Sequence, residues 1–75
     1  METIRYLFRV ERREINYIQS IIESYDGMAR VSTIDPWEAI VEVFISPGCE
    51  EQFFNLLDDL TKREGIVMQG EALSQ

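Results

Sequence analysis

The fold of this chain is decided by residues 28–45, which read MARVSTIDPWEAIVEVFI. Branched and aromatic residues fill both halves of the segment, at 28–34 and 38–45, and Asp35-Pro36 supplies the start of a turn between them. The pattern predicts a β-hairpin. Because successive side chains of a strand point to opposite faces, the length of the turn decides which residues share a face.

The register of the hairpin follows from burial. A two-residue loop would set Arg30 and Ser32 among valines, and burying those polar groups is costly. A three-residue loop that closes Ile34 on Glu38 keeps the apolar residues together and adds a cross-strand ion pair. It places these residues opposite one another: Ala29 and Val43, Arg30 and Glu42, Val31 and Val41.

A helix is predicted on each side of the hairpin. Residues 12–26 carry apolar side chains at helical spacing, and Gly27 follows them as a helix end. After the hairpin, Ser46-Pro47-Gly48 opens a second helix that Gly65 ends. Its polar side carries two acid-before-base pairs four residues apart, Asp58 with Lys62 and Asp59 with Arg63.

A strand is predicted at each end of the chain, at 4–10 and 66–73. In the first strand Ile4, Tyr6, Phe8 and Val10 share one face. The 75 residues make one domain with one thin core. The order strand, helix, strand, strand, helix, strand predicts an α+β, ferredoxin-like βαββαβ sandwich, with a four-stranded antiparallel sheet in the order 4-1-3-2 and two helices on one face.

The composition excludes several function classes. The chain has no histidine, which removes Ser-His-Asp and Cys-His catalysis and histidine metal sites. The net charge is −7, and the surplus of acids falls in residues 31–75, so the chain repels phosphate backbones and nucleic acid is disfavoured as a partner. The chain has a single cysteine, begins with a charged segment and contains no apolar run long enough to span a membrane. These features favour a cytoplasmic, bacterial protein without a cofactor.

The sheet face turned away from the helices is the main candidate interface. The alternation of side chains along each strand places four apolar residues on it: Leu7 and Phe44 of the central strands, and Ile34 and Ile40 of the hairpin. Four large apolar side chains form a patch that something should cover. A homodimer through this open sheet face is the favoured occupant, ahead of another partner protein and of RNA bases stacked on the central strands.

The arginines and the tryptophan give further candidates. Arg12 and Arg13 are candidate anion-binding residues because a guanidinium grips carboxylate or phosphate, although pairing of the arginines with neighbouring acids is the favoured interpretation. Trp37, at the hairpin loop, either anchors a partner or folds back over its own sheet edge.

Cys49 is a candidate reactive thiol because it stands at the predicted start of the second helix. Glu50 and Glu51 oppose thiolate formation there, so a packing role is favoured. Two acid pairs, Glu50-Glu51 and Asp58-Asp59, could suggest a metal site. The two side chains of each pair point about 100° apart on a helix, which favours a solvated surface instead.

The pattern resembles a small bacterial family of unknown function over nearly the whole chain. The resemblance rests on an arginine-rich first strand, on Tyr25-Asp26-Gly27 and on the segment Pro47-Gly48-Cys49-Glu50. More distantly, the topology and residues 45–67 are similar to ACT domains, regulatory modules that bind amino acids where copies pair. That resemblance implies a ligand position at Glu11-Arg12-Arg13-Glu14, where this chain lacks the glycine and proline of the ACT turn.

These observations predict a non-enzymatic, self-associating module that senses an amino acid or a small anionic metabolite. The first alternative is a protein-protein interaction subunit that docks through the open sheet face or Trp37. The second is a redox-sensitive thiol protein that uses Cys49.

Overall fold

A computed structural model describes residues 4–73, and the side chains of residues 4–70. The protein is α+β, with a four-stranded antiparallel sheet and two helices. The strand order is β2-β3-β1-β4, which is the predicted order seen from the other edge. The elements are β1 at Ile4–Arg9, a 3₁₀ turn at Arg12–Glu14, α1 at Ile15–Glu23, β2 at Ala29–Asp35, β3 at Ile40–Ile45, α2 at Glu50–Glu64 and β4 at Gln69–Leu73.

The hydrophobic core lies between the helices and one face of the sheet. Tyr6 is opposite Val43 and Phe8 is opposite Val41, so the apolar residues of β1 and β3 lie on the same face of the sheet. The phenyl rings of Phe8 and Phe53 of α2 lie 5.9 Å apart, centroid to centroid. Two-residue periodicity therefore predicted the helix-covered face correctly. Its buried apolar strand residues are Phe8, Ala29, Val31, Val41, Val43 and Ile45.

The hairpin has a different register from the one predicted. Val31 lies opposite Val43, and Arg30 lies opposite Phe44, so the predicted Arg30–Glu42 pair is wrong. Both differences amount to a shift of two residues, which leaves the side chains of 29–33 and 41–45 on their predicted faces. The turn is one residue longer than predicted, since Asp35 pairs with Ile40, and a bulge lies between Thr33 and Asp35.

The turn chemistry explains the longer loop. The Asp35 carboxylate accepts hydrogen bonds from the backbone N–H groups of Trp37, at 3.0 Å, and Glu38, at 3.1 Å. Ala39 then takes the left-handed conformation, with φ of 58°, and its carbonyl accepts a hydrogen bond of 3.0 Å from the N–H of Val10. The hairpin tip is thereby attached to the connection between β1 and α1.

The remaining element boundaries differ at the ends. The helix predicted over 12–26 is a 3₁₀ turn followed by α1, which ends at Glu23, and the hydroxyl of Ser24 donates to the Ile21 carbonyl at 2.6 Å. Helix α2 begins at Glu50, after Gly48, and ends at Gly65 in the left-handed conformation (φ 70°), as predicted. The last strand begins at Gln69 rather than at 66.

The two helices are joined by one side-chain hydrogen bond. The hydroxyl of Tyr17 on α1 donates to Glu64 at the end of α2, with an O···O distance of 2.6 Å. This bond raises the pKa of Tyr17, because ionisation would break it and place a second negative charge beside the carboxylate.

Candidate functional site

The open sheet face is built by alternate residues of all four strands, and Gln69 of β4 lies on it opposite Arg9. Arg5 lies opposite Phe44, Leu7 opposite Glu42 and Arg9 opposite Ile40. Leu7, Ile40 and Phe44 are half-buried, and no described helix packs on this side, since the core residues of α1 and α2 meet the other face. Three of the four predicted interface residues therefore share this face.

The fourth, Ile34, lies at the bulge of β2 and has no directly opposite residue on β3. It is 52% exposed. The sequence placed it on the face by continuing the alternation of β2 to its end. A bulge interrupts that alternation, so Ile34 stands at the margin of the face rather than within it.

An ion pair occupies the centre of the open face. Glu42 is only 7% exposed, and its Oε2 accepts a hydrogen bond of 2.8 Å from Nε of Arg5 and a second from Nη2. The guanidinium carbon of Arg5 also lies 5.8 Å from the centroid of the Phe44 ring. Arg5 thus covers part of the apolar patch, which is less bare than the sequence predicted. The diagonal relation of Arg5 and Glu42 across β1 and β3 is visible only once the register is known.

A second site lies at one end of the sheet, where the hairpin tip meets the start of α1. It is an open groove, and Trp37, which is 79% exposed, forms one wall. The indole does not fold back over the sheet. The guanidinium carbon of Arg12 lies 5.3 Å from the centroid of its ring. The groove is lined by Arg12, Ile15, Asn16, Thr33, Pro36 and Trp37.

The arginines of the first half of the chain divide into two groups. Arg5 pairs with Glu42, Arg9 with Glu38 at 3.2 Å and Arg13 with Glu11 at 3.7 Å, as the pairing interpretation predicted. Arg12 and Arg30 differ, since within the described part of the chain no carboxylate lies at ion-pair distance from either of them. Arg12 and Arg13 line one shallow depression together with Glu11, and Arg12 alone of the two also contacts Trp37. The sequence did not indicate this contact.

Cys49 is the residue immediately before α2 and makes no side-chain hydrogen bond to the helix end. Its side chain is half-buried and packs against the hydrophobic core. This position agrees with the favoured packing role. Reactivity of the thiol stays a prediction.

Two of the five acidic residues of α2 are paired with bases. Asp58 lies 2.9 Å from Lys62 and Asp59 lies 2.9 Å from Arg63, which confirms both predicted pairs. The hydrogen bond from Lys62 to Asp58 and the attraction of that carboxylate raise the pKa of Lys62. Among the residues whose positions are described, no three cysteine, aspartate or glutamate side chains are grouped closely enough to hold a metal ion.

None of the helices in the described segment combines the length and the apolar character needed to cross a membrane. The sequence profile of DUF4911, a domain of unknown function, matches residues 8–63. The chain belongs to this family. Comparison of this chain with the curated proteins and with the solved structures gives no significant match.

Proposed function

We propose that this DUF4911 protein is a non-enzymatic, self-associating module with a ferredoxin-like arrangement, and that two copies pair through their open sheet faces. The observation that carries the proposal is the composition of the face. Leu7, Ile40 and Phe44 surround an Arg5–Glu42 pair that is already satisfied within one copy.

The internal ion pair matters because covering a charge is costly unless its partners are present. Glu42 is paired before any second copy arrives, and it is already almost fully buried. A second copy can therefore cover the face without leaving this carboxylate unsatisfied. The gain comes from the apolar side chains around it.

A two-fold dimer suits this surface because it buries the same patch on both copies. Specific interfaces cover about 800 Å² on each partner, which is about one sixth of the 5019 Å² surface of this protein. One face of a four-stranded sheet can supply such an area. Docking of a different protein on the same face is the alternative, and it predicts that the chain alone is monomeric.

The solution mass separates these two interpretations. Light scattering of the purified chain over a micromolar to high-micromolar range should give twice 8.8 kDa at the upper end. A mass that stays at 8.8 kDa over the whole range contradicts the dimer and leaves the alternative.

A matched pair of variants then locates the contact. Phe44→Lys places a charge in the open face and should shift the protein to monomer. Asn55→Lys adds the same charge to the exposed side of α2 and should leave the dimer intact. Both substitutions lower the net negative charge, so a loss of the dimer in Phe44→Lys alone cannot come from greater repulsion between copies. Circular dichroism confirms that each variant is folded.

A further inference from the structure

The groove between Arg12 and Trp37 has an unusual charge environment for so acidic a chain. No acidic residue lines it. Of the acids that flank it in sequence, Glu11 pairs with Arg13, Glu38 pairs with Arg9, and Asp35 accepts hydrogen bonds from the backbone N–H groups of the turn. The fourth, Glu14, does not line the groove. No described carboxylate lies at ion-pair distance from the Arg12 guanidinium.

The geometry of Arg12 leaves its hydrogen-bonding edge available. A guanidinium stacked on an aromatic ring uses its flat face, whereas its N–H donors point outward in its own plane. Arg12 contacts the Trp37 ring, with 5.3 Å from the guanidinium carbon to the ring centroid, and within the described residues its guanidinium N–H groups donate no hydrogen bond. A carboxylate that arrives in this plane can accept two parallel hydrogen bonds.

The other walls of the groove offer apolar surface on which the flat ring of a ligand can pack. Ile15, Pro36 and the exposed indole of Trp37 supply apolar surface beside Arg12. Asn16 and Thr33 supply neutral polar groups in the same groove. A ligand with a negative end and a flat apolar body fits this combination of walls.

We propose that this groove is a binding site for small aromatic carboxylates, with the carboxylate on the edge of the Arg12 guanidinium and the ring against Trp37 and Pro36. The site does not depend on the proposed dimer, because Leu7, Ile40 and Phe44 do not line it. Failure of either proposal therefore leaves the other standing.

The single tryptophan makes the site directly observable. The indole N–H of Trp37 gives one resonance in a ¹H–¹⁵N correlation spectrum, and benzoate serves as the probe. Benzoate should shift this resonance in a saturable manner. Benzamide, which keeps the shape without the charge, should bind at least about tenfold more weakly, because hydrogen bonds to a charged group are the stronger kind.

Two variants test the role assigned to Arg12. Arg12→Ala should weaken benzoate binding about tenfold or more, whereas Arg13→Ala removes an equal charge nearby and should change it less than about twofold. Equal binding of benzoate and benzamide, equal losses in the two variants, or no saturation by about 10 mM benzoate would each overturn the proposal. Since both arginines are exposed, these substitutions leave the fold intact.

Discussion

Glu42 is the residue that departs most from the expected pattern of the sheet. The sequence predicts that it pairs with Arg30 across the hairpin. It instead pairs with Arg5, and it is only 7% exposed although no described helix covers the open face. Arg5 and Leu7 on the neighbouring strand account for this, because Arg5 binds the carboxylate and Leu7 lies directly opposite. A buried carboxylate remains charged at low cost only while such a partner is present.

Removing the charge of Glu42 tests this account. Glu42→Gln keeps the shape but leaves Arg5 without its anion, and we expect it to lower the free energy of unfolding by about 1–2 kcal/mol. The loss stays below that of a fully buried pair because the Arg5 side chain is 36% exposed.

The control for Glu42→Gln is Glu38→Gln, since Glu38 pairs with Arg9 and both side chains of that pair are more than half exposed. It should change stability by less than about 0.5 kcal/mol. Urea denaturation of the two variants and the parent protein gives both values. Equal losses in the two variants would mean that the burial of Glu42 has no energetic consequence.

At the scale of elements, the hairpin shows what periodicity can and cannot predict. Its faces are insensitive to a shift of two residues, so the burial of Val31 and Val43 followed from alternation alone. The pairing itself depends on the capping of two amides by Asp35 and on the bulge at Ile34. Those local events alter loop length by single residues, and no hydrophobic pattern records them.

Gly70 carries the clearest prediction for a single strand. It lies opposite Phe8, and a Cβ at this position would lie 2.6 Å from Cδ1 of that ring and closer still to the Leu7 carbonyl oxygen. Gly70→Ala must therefore displace the backbone of β1 or β4, and we expect a loss of about 2–3 kcal/mol in stability.

Gly65→Ala is the comparison, since Gly65 has open space around it and only a left-handed φ to maintain. That substitution should cost about 1 kcal/mol. Thermal or urea unfolding of both variants ranks them. A smaller loss at Gly70 than at Gly65 would contradict the close contact between β4 and β1.

At the scale of the whole molecule, the two candidate surfaces differ in how far the sequence revealed them. Predicting the open face required only the alternation of side chains along each strand, so Leu7, Ile40 and Phe44 could be assigned to it from the sequence. The groove forms where the start of α1 meets the hairpin tip, two segments that are distant in sequence. The hydrogen bond from Val10 to Ala39 holds them together. Nothing in the linear order of Arg12 and Trp37 indicates that contact, because it depends on the true length of the turn.

The net charge gives the proposed dimer a definite salt dependence. Each copy carries −7, so two copies repel one another. On the face itself, Leu7, Ile40 and Phe44 lie around an ion pair closed within each copy, and the exposed side chains of Arg9 and Arg30 lie beside them. Raising the ionic strength from about 0.01 M to about 0.15 M shortens the screening length from about 30 Å to about 8 Å. Because screening removes the repulsion without weakening apolar contacts, the dimer dissociation constant should fall several-fold, as measured by analytical ultracentrifugation. Asn55→Lys, with less charge to screen, should show a smaller change. A dimer that loosens with salt would instead be held by ion pairs between copies, in conflict with an interface made by Leu7, Ile40 and Phe44.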